Sequence, residues 1–170
     1  LHLHDIASPA LVHRPTGVAV DAAGQQVYVI DRGDNDNDRH RVLVFDPKGR
    51  VQREIGTRGS GPGSFNIPVQ GAVAPDDTLW VLDAGNFRLQ AFDREGRFLR
   101  AFGQVGNGLG QFARPRGLAC DAQGRIYVSD GAFGNVQVFD PRGRLLLSLG
   151  RFGRTDRPGR YGLAHGVAVD

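Results

Sequence analysis

The chain contains a sequence repeat with a period of about 47 residues, and this period restricts the possible folds more than any other feature of the sequence. Segments 65–103 and 112–150 align without a gap over most of their length, an earlier copy spans 11–56, and a fourth begins at 161. Two series of turn residues recur 47 positions apart: Asp46, Asp93 and Asp140, and Gly49, Gly96 and Gly143. Such a period is typical of repeat architectures in which each unit stacks on its neighbours.

Each copy contains four short apolar runs separated by turn residues. In the second copy these runs are GAVAP, LWVLD, LQAFD and RFLRAFG. A D-x-x-G turn follows the third run of every copy and suits a tight hairpin whose glycine takes a positive φ. The pattern predicts an all-β fold, a β-propeller with four-stranded antiparallel blades at 11–56, 65–103 and 112–150. Residues 161–170 are predicted to form the inner strand of a further blade.

Two sets of aromatic residues occupy equivalent positions in the three copies. They are Phe45, Phe92 and Phe139, and Tyr28, Trp80 and Tyr127. A four-stranded sheet with two apolar faces cannot bury both faces alone, and radial stacking of blades buries them. Both sets are therefore expected to lie between blades. For residues 1–8 two alternatives stay open, an outer strand of a preceding blade or a loose arm.

The motif P-x-G-V-A-V-D, followed by G-x-I-Y-V-x-D-x-G-N-x-R-V-Q-V-F-D and G-x-x-L-x-x-x-G, resembles the NHL repeat family. Pro15 to Gly56, Pro68 to Gly103 and Pro115 to Gly150 carry the resemblance. The resemblance implies a propeller that closes with about six blades. Three full blades and one strand make an incomplete propeller, so the remaining blades are expected from a longer chain or an assembly.

The resemblance also implies where a ligand would bind. The loop that enters the inner strand and the loop between the second and third strands would share one end of the propeller, called the upper end here. The predicted ligand-binding residues at this end are Thr16, Gln70, Arg116 and His165, which precede the glycine of P-x-G or its equivalent, with Arg32 and Arg88 on neighbouring loops. These positions differ between copies, which favours binding residues over structural ones; a solvated rim without a ligand is the alternative.

One loop carries a weak calcium candidate. Asp34, Asp36 and Asp38 alternate with asparagines, and oxygen donors at every second position can wrap a hard cation. The loop lacks the glycine and the distant glutamate of a helix-loop-helix calcium site, and Arg39, His40 and Arg41 follow directly. A solvated polar loop is therefore the preferred interpretation, and no cofactor is predicted.

A zinc site is the second metal hypothesis. Peptidyl-hydroxyglycine amidating lyases are similar to NHL propellers and hold zinc with three inner-strand histidines. His165, in AHGVAVD, matches one such position, whereas Thr16, Gln70 and Arg116 do not. The resemblance therefore keeps a metal-dependent lyase or lactonase-like enzyme as an alternative rather than as the first hypothesis.

The preferred function is a non-catalytic scaffold that presents its upper end to a protein, a peptide or another ligand. An RNA-binding domain is a further alternative, in which arginines of the upper end would contact phosphates: Arg14, Arg32, Arg88, Arg114 and Arg116. The formal net charge is only +3, and the aromatic stacking platforms of RNA-binding modules are not evident.

Two other features of the composition bound the class of protein. No apolar run approaches the roughly 18 residues of a transmembrane helix. Cys120 is the only cysteine, so the chain has no intrachain disulfide and the compartment stays open. Because Cys120 lies in an apolar inner strand, it is expected to be a core thiol.

Overall fold

The computed structural model describes residues 11–33, 39–152, 160–161 and 166–169. Its main elements are three four-stranded antiparallel sheets, each a meander in which consecutive strands pair. The first sheet consists of β1 (Pro15–Val20), β2 (Val27–Asp31), β3 (Arg41–Phe45) and β4 (Val51–Ile55). The second consists of β5 (Pro68–Val73), β6 (Leu79–Asp83), β7 (Arg88–Phe92) and β8 (Phe98–Phe102). The third consists of β9 (Pro115–Cys120), β10 (Ile126–Asp130), β11 (Asn135–Phe139) and β12 (Leu145–Leu149).

The D-x-x-G turns join the third and fourth strands of each sheet, as predicted. In the first turn the N–H of Gly49 donates to the carbonyl of Asp46 at 2.9 Å, and Gly49 has a φ of 76°. The Asp46 carboxylate accepts the backbone N–H of Arg50 at 2.9 Å, and this hydrogen bond lowers the pKa of Asp46. The turn therefore depends on the aspartate and the glycine together.

The three sheets stack face to face, and the apolar core lies between them. Tyr28, Ile30 and Val44 of the first sheet pack in one cluster with Val81 and Phe92 of the second. A second cluster joins the other face of the second sheet to the third and includes Trp80, Leu82, Leu118, Val128 and Phe139. Radial stacking of blades is thus the source of the hydrophobic core.

Four members of the two aromatic sets lie in these clusters, Tyr28, Trp80, Phe92 and Phe139, whereas Phe45 is buried but belongs to neither cluster. Five of the six side chains are at most 2% exposed, which confirms the predicted strand register: Tyr28, Phe45, Trp80, Phe92 and Phe139. Tyr127 differs, because it is half-buried and its hydroxyl donates to Asp121 Oδ2 at 3.0 Å. It faces away from the second sheet, towards the open side of the stack.

Two buried glutamines fix the glycine-rich loops between the sheets. Gln90 Oε1 accepts the N–H of Gly63 at 2.9 Å, and Gln90 Nε2 donates to the carbonyl of Ser64 at 2.8 Å. Gln137 makes the equivalent pair of bonds with Gly110 and Gln111. The loops that lead from one sheet to the next are therefore held at defined positions, which matters because they lead directly into the upper end.

The two outer faces of the stack expose apolar side chains. Val18 and Val20 on β1 are 58% and 51% exposed, and Leu147 and Leu149 on β12 are 50% and 46% exposed. Ile55, which occupies the position of Leu149 in the first sheet, is only 3% exposed because the second sheet covers it. Both outer faces therefore have the composition of a blade-to-blade contact.

The last described segments do not form a regular inner strand. Arg151–Phe152 and Arg160–Tyr161 make a short parallel pair, and residues 166–169 have no strand pairing. A Cβ atom placed on Gly117 would lie 3.0 Å from the Cα of Gly166, so this segment does pack beside β9. A strand needs hydrogen-bonded neighbours, and beyond the third sheet the described residues contain only this short pair, which does not pair with residues 166–169. The rest of the predicted strand lies outside the described residues.

Candidate functional site

The inner strand of each sheet begins with a β-bulge at the same end of the molecule. In the first sheet Pro15 pairs with Asp31 and Gly17 pairs with Ile30, which leaves Thr16 as the extra residue. The second and third sheets repeat this arrangement with Val69 and Arg116 as the extra residues. Bulges change the direction of a side chain and are frequent beside binding sites. Three equivalent positions therefore lie at the upper end, and their side chains differ: one is a hydroxyl, one is apolar and one is a guanidinium.

The register places Gln70 one residue away from its predicted position. Gln70 pairs with Leu82 and is equivalent to Gly17 and Gly117, while Val69 is the equivalent of Thr16 and Arg116. The predicted position is the residue before the glycine of P-x-G. In the second copy one additional residue separates Pro68 from this glycine, so the predicted position falls on Gln70 instead of Val69. The side chain of Gln70 lies against the first sheet, where a Cβ on Gly17 would be 2.3 Å from Gln70 Oε1.

A buried aspartate at the end of each second strand supports the loops of the upper end. Asp31, Asp83 and Asp130 are all fully buried. Asp83 accepts the N–H of Asn66 at 2.7 Å and the Nδ2 of Asn86 at 2.8 Å, and burial raises the pKa of its carboxyl. Asp130 accepts the N–H groups of Ala113 and Arg114 in the same way. The loop backbones are therefore held alike in each sheet, although the side chains they carry differ.

A second repeated hydrogen bond joins the two loops of the upper end within each sheet. The backbone N–H of the residue after the buried aspartate donates to the backbone carbonyl of the residue before the inner-strand proline, at 3.0–3.1 Å. The three pairs are Arg32 with Arg14, Ala84 with Ile67, and Gly131 with Arg114. This scaffold fixes where the side chains of these residues begin.

These loops enclose a cleft of about 450 Å³ that reaches across all three sheets. Arg32 comes from the first sheet, and Arg114 and Arg116 come from the third. The second sheet supplies the floor between them with Asn66, Ile67, Val69, Ala84, Gly85 and Phe87. The structure therefore brings together two of the predicted binding residues, Arg32 and Arg116. Arg114 was predicted at this end only for the RNA-binding alternative, and the apolar floor was not predicted.

The three arginines of the cleft differ from most arginines in the molecule. At the lower end, which carries the D-x-x-G turns, an arginine binds the aspartate four residues before it at 2.6–2.7 Å; these are Arg50, Arg97 and Arg144. By contrast, the side chains of Arg32, Arg114 and Arg116 have no hydrogen-bond or ion-pair partner within the part of the chain that the structure describes. Their guanidinium groups are available to an anionic ligand.

The other predicted binding residues have different positions. Thr16 Oγ1 donates to the carbonyl of Pro68 at 2.9 Å and so links the first two sheets. Arg88 does not line the cleft, because its Nη2 donates to the carbonyls of Gly61 and Ser64 at 2.8 Å and its Nε to Asp83. His165 and the candidate calcium residues Asp34, Asp36 and Asp38 lie outside the described residues.

The floor of the cleft contains a strained backbone position. Ile67 has a φ of 62°, although it is β-branched and precedes a proline, and both properties disfavour the left-handed region. Its N–H donates to Nδ1 of His40, a buried residue of the first sheet, at 3.1 Å. His40 therefore helps to hold the floor, and strain of this kind is frequent at functional sites. Sequence spacing gave no signal for this contact, because His40 and Ile67 belong to different repeats.

Two variants of equal size test the role of His40. His40→Leu leaves the partly buried N–H of Ile67 without this acceptor and is expected to lower the free energy of unfolding by about 1 kcal/mol. His40→Asn places an amide oxygen, also an acceptor, near the position of Nδ1 and is expected to retain most of the stability. Chemical denaturation of the intact protein measures the difference. Equal losses in the two variants would show that this hydrogen bond contributes nothing.

Among the described residues, no group of three or more His, Cys, Asp or Glu side chains could hold a metal ion. In the same part of the chain, no helix is long and apolar enough to cross a membrane. The lining of the cleft consists of guanidinium, amide and apolar groups. Such groups bind and orient a ligand.

Comparison with known proteins identifies the class of fold. No family profile and no curated protein sequence matches the chain. Streptogramin B lyase matches it with a TM-score of 0.62 and 14% identity, over 89% of this chain and 43% of that one. The WD40 repeats of RRP9 match with a TM-score of 0.65 and 16% identity, over 85% of this chain and 40% of that one.

A third match is a catalytically inactive virginiamycin B lyase from Staphylococcus aureus with quinupristin. Its TM-score is 0.61 at 14% identity, over 89% of this chain and 44% of that one. The chain is an incomplete β-propeller and spans about two fifths of the length of these structures. At such identities the likeness shows the fold alone, and the functions of these proteins differ from one another.

Proposed function

We propose that this propeller is a non-catalytic binding scaffold whose upper end, and in particular the cleft of Arg32, Arg114 and Arg116, takes a protein or peptide partner. The observation that carries the proposal is the contrast between backbone and side chains there. The buried aspartates and the inter-loop hydrogen bonds repeat from sheet to sheet. The side chains on this common frame do not repeat. A position whose backbone is fixed and whose side chain varies is suited to recognition.

The apolar outer faces support a second part of the proposal, that further blades of the NHL type cover Val18 and Leu149. The chain spans about two fifths of the propellers it matches, and blade-to-blade contacts bury the equivalents of these residues. Further blades would extend the upper end around the central channel. They would also decide the enzyme alternative, because a zinc site would need two histidines besides His165. Metal analysis of the purified intact protein separates that alternative from a scaffold.

Removal of two cleft arginines tests the binding function. A displayed library of random peptides is selected on the intact protein, and the selected peptides are measured on the variant Arg32→Ala with Arg116→Ala. We expect binding to weaken about tenfold or more, because both groups would contact the ligand directly. Thermal stability should stay nearly unchanged, since neither side chain has a partner within the described residues.

The matched control removes the same charge at the opposite end of the molecule. Lys48 and Arg142 are exposed residues of the lower turns, and their double alanine variant should bind the selected peptides like the wild type. If both double variants lose affinity equally, attraction to the net positive charge explains the binding. If the upper-end variant loses stability instead, its arginines are structural.

A further inference from the structure

We infer that the cleft recognises a short acidic peptide segment, whose carboxylates pair with Arg32, Arg114 and Arg116 and whose neighbouring apolar side chain packs on Ile67, Val69 and Phe87. This inference rests on the proposed binding function and names the chemistry of the partner. It depends on three properties of the cleft, which are its unpaired charge, its apolar floor and its size.

The charge of the described cleft is uncompensated. The lining contains three guanidinium groups and no carboxylate. The nearby buried aspartates, Asp31, Asp83 and Asp130, form no ion pair with these arginines in the described part of the chain and accept hydrogen bonds from loop N–H groups instead. Asp31 and Asp83 also bind Arg41 and Arg88, which lie outside the cleft. A guanidinium binds a carboxylate through two parallel hydrogen bonds, so an acidic side chain fits each arginine.

The apolar floor distinguishes a peptide from a simple anion. Ile67, Val69 and Phe87 come from the second sheet, between the one cleft arginine of the first sheet and the two of the third. An inorganic anion would leave this surface uncovered, whereas an apolar side chain flanked by acidic residues would cover the floor and reach both sides. The order of groups across the cleft, charged, apolar and charged, therefore corresponds to alternating acidic and apolar residues.

The low aromatic content of the same floor argues against single-stranded RNA as the ligand. Sequence-tolerant binding of bases uses aromatic rings with a free face for stacking. Phe87 is the only aromatic side chain of the described lining, and it packs against the core cluster of the second and third sheets. Successive bases would therefore find one partly buried ring and no second ring in the described lining. Phosphates alone could pair with the arginines, so RNA binding is a measured outcome of the test.

The size of the cleft limits the length of the bound segment. About 450 Å³ lies within the range of small-ligand pockets and accommodates a few extended residues. An extended loop or chain end of the partner is the segment that we expect to occupy this volume.

Fluorescence anisotropy with the intact protein tests the inference. The probes are a labelled peptide of alternating Glu and Leu, a peptide of alternating Glu and Ser with the same charge, and a uridine oligonucleotide of equal charge. We expect the Glu-Leu peptide to bind about tenfold more tightly than either other probe. Arg32→Ala with Arg116→Ala should remove this binding, and Lys48→Ala with Arg142→Ala should leave it intact.

A variant of the floor separates the apolar contact from the charge. Val69→Thr keeps the shape of the side chain but adds a hydroxyl group. It should lower the affinity for the Glu-Leu peptide several-fold and leave the affinity for the Glu-Ser peptide unchanged. Equal affinity for both acidic peptides, or tighter binding of the oligonucleotide, would overturn the inference. If neither acidic peptide binds while library peptides of other chemistry depend on Arg32 and Arg116, the inference fails and the binding function stands. If no library peptide depends on these arginines, both fail.

Discussion

Replacement of Phe92 by alanine is expected to lower the free energy of unfolding of the intact protein by about 3–5 kcal/mol. Phe92 is 1% exposed and packs between the first and second sheets, with its ring centroid 5.6 Å from that of Phe65. The variant would leave a cavity at a contact between two blades, and relaxation of the flanking sheets would fill it only in part. Denaturant titration, followed by far-ultraviolet circular dichroism, measures the loss.

The control for this variant is Phe98→Ala on the next strand. Phe98 is 37% exposed, and its ring lies 6.1 Å from that of Phe92, so its removal should cost about 1 kcal/mol or less. A loss at Phe92 no larger than at Phe98 would mean that the stacked sheets are not the cooperative core of the protein.

The thiol of Cys120 is expected to stay protonated far above the usual range. Burial raises the pKa of this thiol from 9.0 to about 12, and Asp121 and Asp76 add to the shift through their negative charge. At about pH 8 the thiolate fraction should be about a thousandfold smaller than for an ordinary thiol. The ultraviolet absorbance of the thiolate, taken as the difference between the wild type and Cys120→Ser, measures this fraction during an alkaline titration.

The sign of the linked effect on stability follows from the raised pKa. The contribution of the buried thiol is fully present below the unfolded-state pKa near 9 and is lost as pH rises towards 12. Unfolding with guanidinium should restore titration near 9, which provides the internal control. A folded protein whose thiol titrates near 9 would contradict the raised pKa of Cys120.

The fold could be predicted from the repeat because each strand and each turn is specified by residues close together in the sequence. Alternating apolar residues and D-x-x-G turns define each strand and hairpin without reference to the rest of the chain. The buried Phe45, Phe92 and Phe139 then follow from the pleat, which places every second side chain on one face. Tyr127 could not be distinguished from Trp80 in this way. Its exposure depends on what stacks beyond the third sheet.

The candidate site was predicted only in part, for two physical reasons. The bulge residue of each inner strand directly follows the proline, which makes it Val69 in the second sheet. The prediction instead used the residue before the glycine, which is Gln70 in that copy. The second reason is long-range contact. Arg88 begins a third strand and is equivalent to Arg41, not to Arg32. Carbonyls of the loop between the first and second sheets hold it away from the cleft. The support of Ile67 by His40 likewise joins two repeats.

Arginine footprinting with phenylglyoxal and mass spectrometry, with and without a bound acidic peptide, tests the central claim most directly. The reagent attacks neutral guanidine, and the hydrogen bond that Arg97 donates to Asp93 raises the pKa of Arg97, so paired arginines should react slowly. We predict that Arg32, Arg114 and Arg116 react faster than the paired arginines of the lower turns, and that the peptide protects these three. Equal rates at both ends, or protection by the peptide at Arg50, Arg97 and Arg144 instead, would contradict a binding site at the upper end.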